Sequence, residues 1–146
     1  MQSPTLQFIQ LEPIKFPLVN QFYKRVYKKG LARKNEAVFI LKEKEIICSA
    51  KLKTLDNQLL LTGVACDPKH TKQGFASLLI NKILVLQKQP VYCFPYPHLQ
   101  LFYSRLGFVQ TEASILPEII QQRFHRYSEN RTLLLMVYLP KIDNKD

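Results

Sequence analysis

The 146-residue chain is poor in acidic residues and has no long apolar run. Its 11 Asp and Glu stand against 21 Lys and Arg, and the resulting net charge of +10 favours a polyanionic partner. No apolar run approaches the ~20 residues that a membrane-spanning helix needs. The first residues also lack the basic and then apolar layout of a signal peptide. We therefore expect a cytoplasmic protein with no membrane segment.

Cysteine is scarce, and its placement argues against both a disulfide framework and a metal site. Cys48, Cys66 and Cys93 each lie in an apolar stretch, without CxxC or Cys/His metal spacing. Small buried thiols in a reducing compartment are the interpretation that this placement favours. We predict no metal site and no structural disulfide.

The composition and length fit one folded domain. A hydrophobic content of 47% is enough for a core, and 146 residues match the usual size of a single domain. No repeat, low-complexity tract or linker interrupts the chain. We predict one domain over residues 1–140 and a disordered tail over residues 141–146.

The predicted elements form a mixed α/β sheet. We predict strands at 6–10, 37–41, 46–55, 59–66, 91–94, 108–111 and 132–139, with helices at 16–29, 75–88, 97–106 and 117–127. The three strands between Ala37 and Cys66 are joined by short turns and make an antiparallel meander. The strand–helix–strand unit from Leu59 to Phe94 implies a parallel pair. The fold class is therefore an antiparallel meander followed by a parallel strand pair.

The loop between the third meander strand and the next helix has the features of an anion site. The apolar strand Leu59–Cys66 leads into the loop Asp67–Gly74, and a helix starts at about Phe75. The first N–H groups of a helix have no internal partners and point outward with the positive end of the helix dipole. Gly74 leaves room for a close ligand because it has no Cβ. Two lysines of the loop add positive charge: Lys69 and Lys72. This arrangement favours main-chain binding of a phosphate or pyrophosphate.

Two segments resemble motifs of the GCN5-related N-acetyltransferases (GNAT). The family's pyrophosphate loop, Arg/Gln-x-x-Gly-x-Gly/Ala, falls on Thr71–Ala76, with Thr71 in the place of the usual Arg or Gln and Lys72 in the place of a common Gly. The family's Phe-Tyr-x-x-x-Gly-Phe signature falls on Phe102–Phe108, where Gly107 is placed to end a helix. Two ordered motifs are more specific than one. The resemblance covers roughly residues 37–111.

The resemblance implies an acetyl-CoA site built mainly from main chain. In the family, the strand before the loop and the next parallel strand splay apart, and the pantetheine arm pairs between them like an added strand. Val64 and Cys66 would offer backbone groups to the pantetheine, and an N–H near Val64 would serve the thioester carbonyl. The implied cofactor-binding residues are Val64, Cys66, Thr71, Lys72, Gln73, Gly74, Phe75, Ala76 and Ser77.

Tyr103 is the catalytic residue that the resemblance implies. Acetyl transfer to an amine expels a thiolate, and a tyrosine, with an ordinary pKa of ~10, can donate a proton to it at neutral pH. The alternative is a packing role, because Phe102 and Tyr103 also suit a core. Tyr96 stands where the family often has an Asn that contacts CoA.

The sequence assigns no general base. No carboxylate lies between Asn57 and Cys66, the strand on which some family members carry one. A general base must gain and lose a proton near neutral pH, and histidine titrates in that range. His98 and His125 are therefore candidates, although each also suits a surface position. A water chain is a further route for the amine proton.

We predict an acetyl-CoA-dependent N-acetyltransferase that acts on a primary amine of a small molecule or peptide. The few carboxylates disfavour a polyamine acceptor. The alternative is a non-catalytic module of the same fold, which binds CoA or associates with nucleic acid through its basic surface. The basic cluster of Lys24–Lys34 favours a solvated face over a specific nucleic-acid site, because no aromatic residues are interleaved as stacking platforms. The oligomeric state stays open, a homodimer included.

Overall fold

A computed structural model describes residues 5–27, 31–33, 35–71 and 73–141. These ranges contain seven strands and four α-helices. The strands are β1 (Gln7–Leu11), β2 (Glu36–Lys42), β3 (Ile46–Leu55), β4 (Gln58–Cys66), β5 (Val91–Cys93), β6 (Val109–Gln110) and β7 (Met136–Tyr138). The helices are α1 (Phe16–Val26), α2 (Phe75–Leu84), α3 (Gln100–Arg105) and α4 (Glu118–Tyr127).

The strands form one mixed sheet in the order β1-β2-β3-β4-β5-β7-β6. Strands β1, β2 and β3 pair antiparallel. Strand β4 then pairs in parallel with β5, where Leu59 lies opposite Val91 and Leu60 opposite Tyr92. Strand β7 pairs antiparallel with both β5 and β6. The predicted fold class, an antiparallel meander followed by a parallel pair, is confirmed.

The chain divides into two compact units. The first consists of the described residues of Met1–Lys53 and Leu61–Ile83, and the second of those of Thr54–Leu60 and Leu84–Asp146. Strand β4 therefore contributes residues to both units. The single domain that the length suggests stays a prediction.

The core of the first unit lies between α1 and one face of the sheet. Four side chains of α1 are buried there: Phe16, Val19, Phe22 and Tyr23. They pack with Leu11 of β1, Val38 and Ile40 of β2 and Ala65 of β4. Burial of an aliphatic or phenyl side chain of this size stabilises a fold by about 1.5–3 kcal/mol. The helical spacing of apolar residues in the sequence therefore marks the face that α1 buries.

The core of the second unit is formed by α4 with β5 and β7. Ile120 of α4 is fully buried and packs with Tyr92 of β5 and Val137 of β7. Phe124 on the same helix meets the ring of Phe94 at 5.3 Å between centroids. These contacts hold β5 in place beside β4, which is the parallel pair that the sequence predicts.

Several predicted boundaries are wrong. Helix α1 ends at Val26 instead of Lys29, and the glycine expected to end it, Gly30, lies outside the described residues. Helix α2 ends at Leu84 instead of Lys88, where the Gln87 N–H donates to the Leu84 carbonyl in a turn. The turn at 85–86 therefore ends the helix five residues before Gln89, the residue whose helical geometry Pro90 disfavours.

The last strand is also shorter than predicted. Strand β7 begins at Met136 instead of Thr132. The residues before it still bond to neighbouring chain: the Leu134 N–H donates to the Pro95 carbonyl at 2.8 Å, and the Thr111 N–H donates to the Leu135 carbonyl at 2.9 Å. The predicted disordered tail lies outside the described residues, apart from Lys141.

No helix within the described ranges is both long enough and apolar enough to cross a membrane. The same ranges contain no cluster of three or more His, Cys, Asp or Glu that could hold a metal ion.

Candidate functional site

Between the hairpin turn and Asp67, the β4 side has one residue more than regular pairing with β3 allows, which indicates a β-bulge. The two-residue turn Asp56–Asn57 joins the two strands, and counting from it places Ile47 opposite Cys66. The Ile47 carbonyl instead accepts a hydrogen bond from the Asp67 N–H at 2.8 Å. We place the extra residue at Gly63, because its φ of +62° is in the left-handed region that favours glycine and occurs at bulges.

A buried tyrosine supports the bulge from α1. The Tyr23 hydroxyl donates toward the Gly63 carbonyl at 2.8 Å and toward Ser49 Oγ at 3.0 Å. Ser49 Oγ in turn donates to the Phe39 carbonyl at 3.1 Å. Burial raises the pKa of Tyr23, so its hydroxyl stays protonated and serves as a donor at neutral pH. The backbone carbonyl at the bulge therefore has a fixed partner.

A buried ion pair lies beside this tyrosine. Lys51 Nζ is 3.5 Å from a carboxylate oxygen of Glu36, and both side chains are 5% exposed. The ammonium also donates to the Leu31 carbonyl at 3.3 Å and lies 5.5 Å from the centre of the Tyr23 ring. Burial lowers the pKa of Lys51, and Glu36 opposes that shift. A Cβ at Gly63 would come within 2.6 Å of Lys51 Cε, so glycine is needed at the bulge for space as well as for φ.

This buried network was not predicted from the sequence. Ser49 and Lys51 alternate with apolar residues in strand β3 as Lys53 does, and that pattern does not mark the first two as buried. Both lie on the face of the sheet that α1 covers, since Ser49 pairs with Ile40 and Lys51 with Val38.

A buried aspartate fixes the start of the loop. Asp67 is 3% exposed, and its carboxylate accepts a hydrogen bond from the Lys69 N–H at 3.0 Å and another from Arg25 at 2.9 Å. These donors, first the backbone N–H and then the guanidinium, hold the pKa of Asp67 below its usual range. After it, Pro68–His70 forms a short 3-10 turn, to which Thr71 adds a hydrogen bond from its hydroxyl to the Pro68 carbonyl at 3.2 Å.

Helix α2 begins at Phe75, as predicted, directly after Gly74. The Gly74 carbonyl accepts the first helical hydrogen bond, from the Leu78 N–H at 3.0 Å. Its φ is +79°, and a Cβ built there would meet no protein atom within 4 Å. Glycine at this position therefore satisfies the backbone conformation and leaves the space in front of the helix N-terminus open.

The other predicted cofactor residues lie along the same path. Thr71 and Gln73 are exposed, whereas Phe75, Ala76 and Ser77 are half-buried in the first turn of α2. Val64 and Cys66 are half-buried in β4, beyond the bulge. Lys72 lies outside the described residues. Nothing in this arrangement contradicts the predicted set, and its role stays a proposal.

Tyr103 lies on α3 in the second unit and is 7% exposed. Its ring meets Phe102 and Phe108 edge-on, with centroids 5.0 and 5.5 Å away. The Phe108 N–H donates to the Tyr103 carbonyl at 3.1 Å, and the Gly107 N–H donates to the Ser104 carbonyl at 3.0 Å. With a φ of +101° at Gly107, this is a Schellman end of the helix, and the predicted role of this glycine is confirmed. The ring is a packing group, and the function of its hydroxyl stays a proposal.

The two histidines considered as bases are both exposed. His98 lies in a 3-10 turn and stacks on Tyr96 with ring centroids 6.0 Å apart. His125 lies in the last turn of α4. Neither position assigns a base.

No protein-family model matches the sequence, and no curated protein matches it significantly. Solved structures match over nearly the whole chain. The N-acetylglutamate synthase from Neisseria gonorrhoeae, solved with coenzyme A and L-arginine, has a TM-score of 0.72 at 13% identity, over 97% of this chain and 34% of the synthase. This chain therefore spans about a third of the length of that protein.

Two further structures match this chain along nearly all of their own length. The ribosomal-protein-S18-alanine N-acetyltransferase from Escherichia coli has a TM-score of 0.69 at 12% identity, over 97% of this chain and 98% of the enzyme. An acetyltransferase of the GNAT family from Staphylococcus aureus Mu50 has a TM-score of 0.65 at 14% identity, over 94% and 100% of the two chains. The protein therefore has the fold of these acetyltransferases, which confirms the fold predicted from the two motifs.

Proposed function

We propose that the protein is an acetyl-CoA-dependent N-acetyltransferase that acetylates a primary amine of a small molecule or peptide. The observation that carries the proposal is that three structural features follow one another along a single segment of the chain. Strand β4 is bulged at Gly63, the loop after it is fixed by Asp67, and α2 begins at the left-handed Gly74. The fold adds support, because the Escherichia coli and Staphylococcus aureus proteins are acetyltransferases and the Neisseria gonorrhoeae synthase was solved with coenzyme A.

The pyrophosphate of CoA would bind at the start of α2. Backbone N–H groups of a first helical turn and the positive end of the helix dipole both stabilise an anion. We assign this role to the backbone of Thr71–Ser77, with the exposed Lys69 adding positive charge. The open space in front of Gly74 is what a pyrophosphate would need.

The pantetheine arm would pair with β4 beyond the bulge. A bulge interrupts the ladder and turns the backbone groups that follow it. We assign Val64 and Cys66 to the pantetheine, and the Val64 N–H to the thioester oxygen, where a fixed donor stabilises the charge that develops during attack. Tyr23 would hold this donor in place through the Gly63 carbonyl.

Acetyl transfer then needs two proton movements. The neutral amine attacks the thioester carbonyl carbon, and the C–S bond breaks to release the CoA thiolate. We assign Tyr103 to protonate that thiolate, since a phenol is a suitable acid at neutral pH. The surplus proton of the amine leaves to solvent or to a base that we do not assign.

Calorimetric titration with CoA tests the proposed cofactor site. We expect the native protein to bind CoA and Gly74→Val to bind it much more weakly, because valine disfavours a φ of +79° and fills the open space. Gly74→Asn is the matched control, since asparagine tolerates the left-handed region. If both variants lose affinity for CoA, the ligand must approach residue 74 too closely for any side chain. If only Gly74→Val loses affinity, the conformation of the loop is what CoA binding requires. No heat with native protein, or equal affinity for Gly74→Val, would contradict the site.

An acceptor screen tests the reaction. The protein is mixed with acetyl-CoA and a panel of amino acids, peptides, arylalkylamines and polyamines, and released CoA is measured by chromatography. We expect turnover with at least one monoamine and little with polyamines. CoA binding without turnover on any amine would favour the alternative, a non-catalytic CoA-binding module of this fold.

A further inference from the structure

Two cysteines face each other on neighbouring strands at the start of the loop. The hydrogen bond from the Asp67 N–H to the Ile47 carbonyl sets the local register of β3 and β4, and it places Cys48 opposite Cys66. The two thiols interact, since each is the largest cause of the shift in the pKa of the other. The bulge at Gly63 creates this pairing, because simple counting from the hairpin turn would place Ala65 opposite Cys48.

The two thiols have different surroundings. The Cys66 sulfur also accepts a hydrogen bond from the N–H of Ala76, the second residue of α2, whose N–H has no partner within the helix. The interaction with Cys48, and then the Ala76 N–H at the positive end of the helix dipole, lower the pKa of Cys66, while burial and the Asp67 carboxylate oppose that shift. Cys48 is fully buried, and its pKa is raised by its interaction with Cys66 and by burial.

The two cysteines differ in exposure, which sets the order in which they would react with an oxidant. Cys66 is half-buried, so a small reagent can reach it, whereas Cys48 is fully buried. The third cysteine, Cys93, is 3% exposed, and burial raises its pKa. It therefore serves as an internal control for a thiol that is present but not activated.

We propose that Cys66 and Cys48 are a peroxide-sensitive dithiol that closes into a disulfide at the entrance of the loop. The Cys66 thiolate attacks one oxygen of hydrogen peroxide, the O–O bond breaks, and hydroxide leaves, which gives a sulfenic acid at Cys66. The Cys48 sulfur then attacks the Cys66 sulfur, the S–O bond breaks, and the departing hydroxide takes the Cys48 proton to form water. The two thiols are oxidised to one disulfide, and one peroxide is reduced to two waters.

The strand geometry suits this bond. Residues 47 and 67 share a ladder hydrogen bond, so residues 48 and 66 form the neighbouring non-hydrogen-bonded pair of the antiparallel ladder. The Cα atoms of such a pair are about 4.5 Å apart, within the ~4.4–6.8 Å range that disulfides span. The bond can therefore form without a change in strand pairing. The inference does not depend on acetyl transfer.

Intact-mass measurement and peptide mapping of the whole reduced protein after hydrogen peroxide test the proposal. We expect the loss of two hydrogen atoms, a cross-linked peptide that joins Cys48 to Cys66, and recovery on addition of dithiothreitol. Cys66→Ser should lose the cross-link, and Cys93→Ser should keep it at the native rate. Cys48→Ala should stop at a sulfenic acid on Cys66, which dimedone traps.

A second measurement covers the case in which the buried Cys48→Ala variant fails to fold. Native protein is alkylated with iodoacetamide across a pH series, and the three sites are followed by mass spectrometry. We expect Cys66 to react first and at a pH below that of an ordinary thiol, with Cys93 protected. The proposal is overturned if peroxide gives no Cys48–Cys66 bond in folded protein, or if Cys66 and Cys93 react alike.

Discussion

Tyr103 is a packing residue to which we also assign a proposed role as an acid, and removal of its hydroxyl separates the two. Its ring packs edge-on against Phe102 and Phe108, and those contacts persist in Tyr103→Phe. We expect the variant to fold, to bind CoA as the native protein does, and to lose at most the contribution of one hydrogen bond, about 0.5–1.5 kcal/mol. Turnover should fall by ~10²–10⁴, which is what a positioned acid contributes.

Steady-state kinetics with an acceptor from the amine screen measures the turnover of native protein and of Tyr103→Phe. The fall in turnover should be smaller with an acyl thioester whose thiol is more acidic, because a better leaving group needs less proton donation. A variant that turns over at the native rate would leave Tyr103 as a packing residue only.

Tyr23 is proposed to position the Val64 N–H through its hydrogen bond to the Gly63 carbonyl, so its removal should affect catalysis more than cofactor binding. Tyr23→Phe leaves the Gly63 carbonyl and Ser49 without their phenolic partner, at a cost of about 1–3 kcal/mol in the free energy of unfolding. Because Gly63 precedes Val64, we also expect kcat to fall while CoA affinity changes little. Tyr27→Phe is the matched control, since Tyr27 lies directly after the same helix but is 39% exposed. Equal losses in kcat for both variants would contradict a positioning role for Tyr23.

Residues with a local signature were predicted from sequence, and residues joined over long separations were not. Gly107 was predicted because a glycine at the end of a helix implies a left-handed φ, which it has, whereas Gly74 was singled out for its missing Cβ and its left-handed φ was not predicted. The bonds of Tyr23 to Ser49 and to Gly63 span 26 and 40 positions in the chain. No spacing in the sequence marks them, because they exist only once α1 covers the sheet.

At the scale of elements, the loop before α2 depends on the ion pair between Asp67 and Arg25, and acid should weaken it. The folded-state pKa of Asp67 lies below its ordinary value, so the stabilisation is fully present above about pH 3.9. It is lost as the pH falls from there through the lowered pKa. Asp67→Asn should be less stable at pH 7 and should lack this part of the acid dependence.

Urea unfolding at pH 7 and at a series of acid pH values measures this effect. Asp56→Asn is the control, because Asp56 lies in the exposed hairpin turn and asparagine tolerates its φ of +46°. An Asp67→Asn variant that loses stability in acid as steeply as the native protein would show that Asp67 does not anchor the loop.

Element boundaries were predicted less well than element types, for a physical reason. Val85 and Leu86 continue the apolar pattern of α2, yet they are 77% and 56% exposed, beyond the end of the helix. Apolarity indicates what a side chain would prefer to contact, and it does not say where the chain must turn to reach β5. The meander and the parallel pair of β4 with β5 were predictable because short connections leave few alternatives, whereas the place of β7 between β5 and β6 was not predicted.

At the scale of the whole molecule, the net charge of +10 predicts weak, salt-sensitive attraction to any polyanion. In the basic cluster of Lys24–Lys34, Arg25 forms an ion pair with Asp67, and Lys24 and Arg33 are exposed. The other three basic residues of the cluster lie outside the described residues: Lys28, Lys29 and Lys34. We expect labelled oligonucleotides of different sequence to bind with similar, low affinity. The affinity should fall steeply with added salt, because each neutralised phosphate releases counterions.

Fluorescence anisotropy over a salt series measures both the affinity and the slope of its logarithm against the logarithm of salt concentration. Lys24→Glu should lower the affinity equally for every sequence, and Lys88→Glu, at another exposed position, shows how much of that loss is net charge alone. CoA binding should fall less steeply with salt than nucleic-acid binding, since its pyrophosphate would rely on main-chain donors that added ions screen little. Tight binding of one sequence at physiological salt would instead make the basic surface a recognition site and favour the nucleic-acid-associated module over the acetyltransferase.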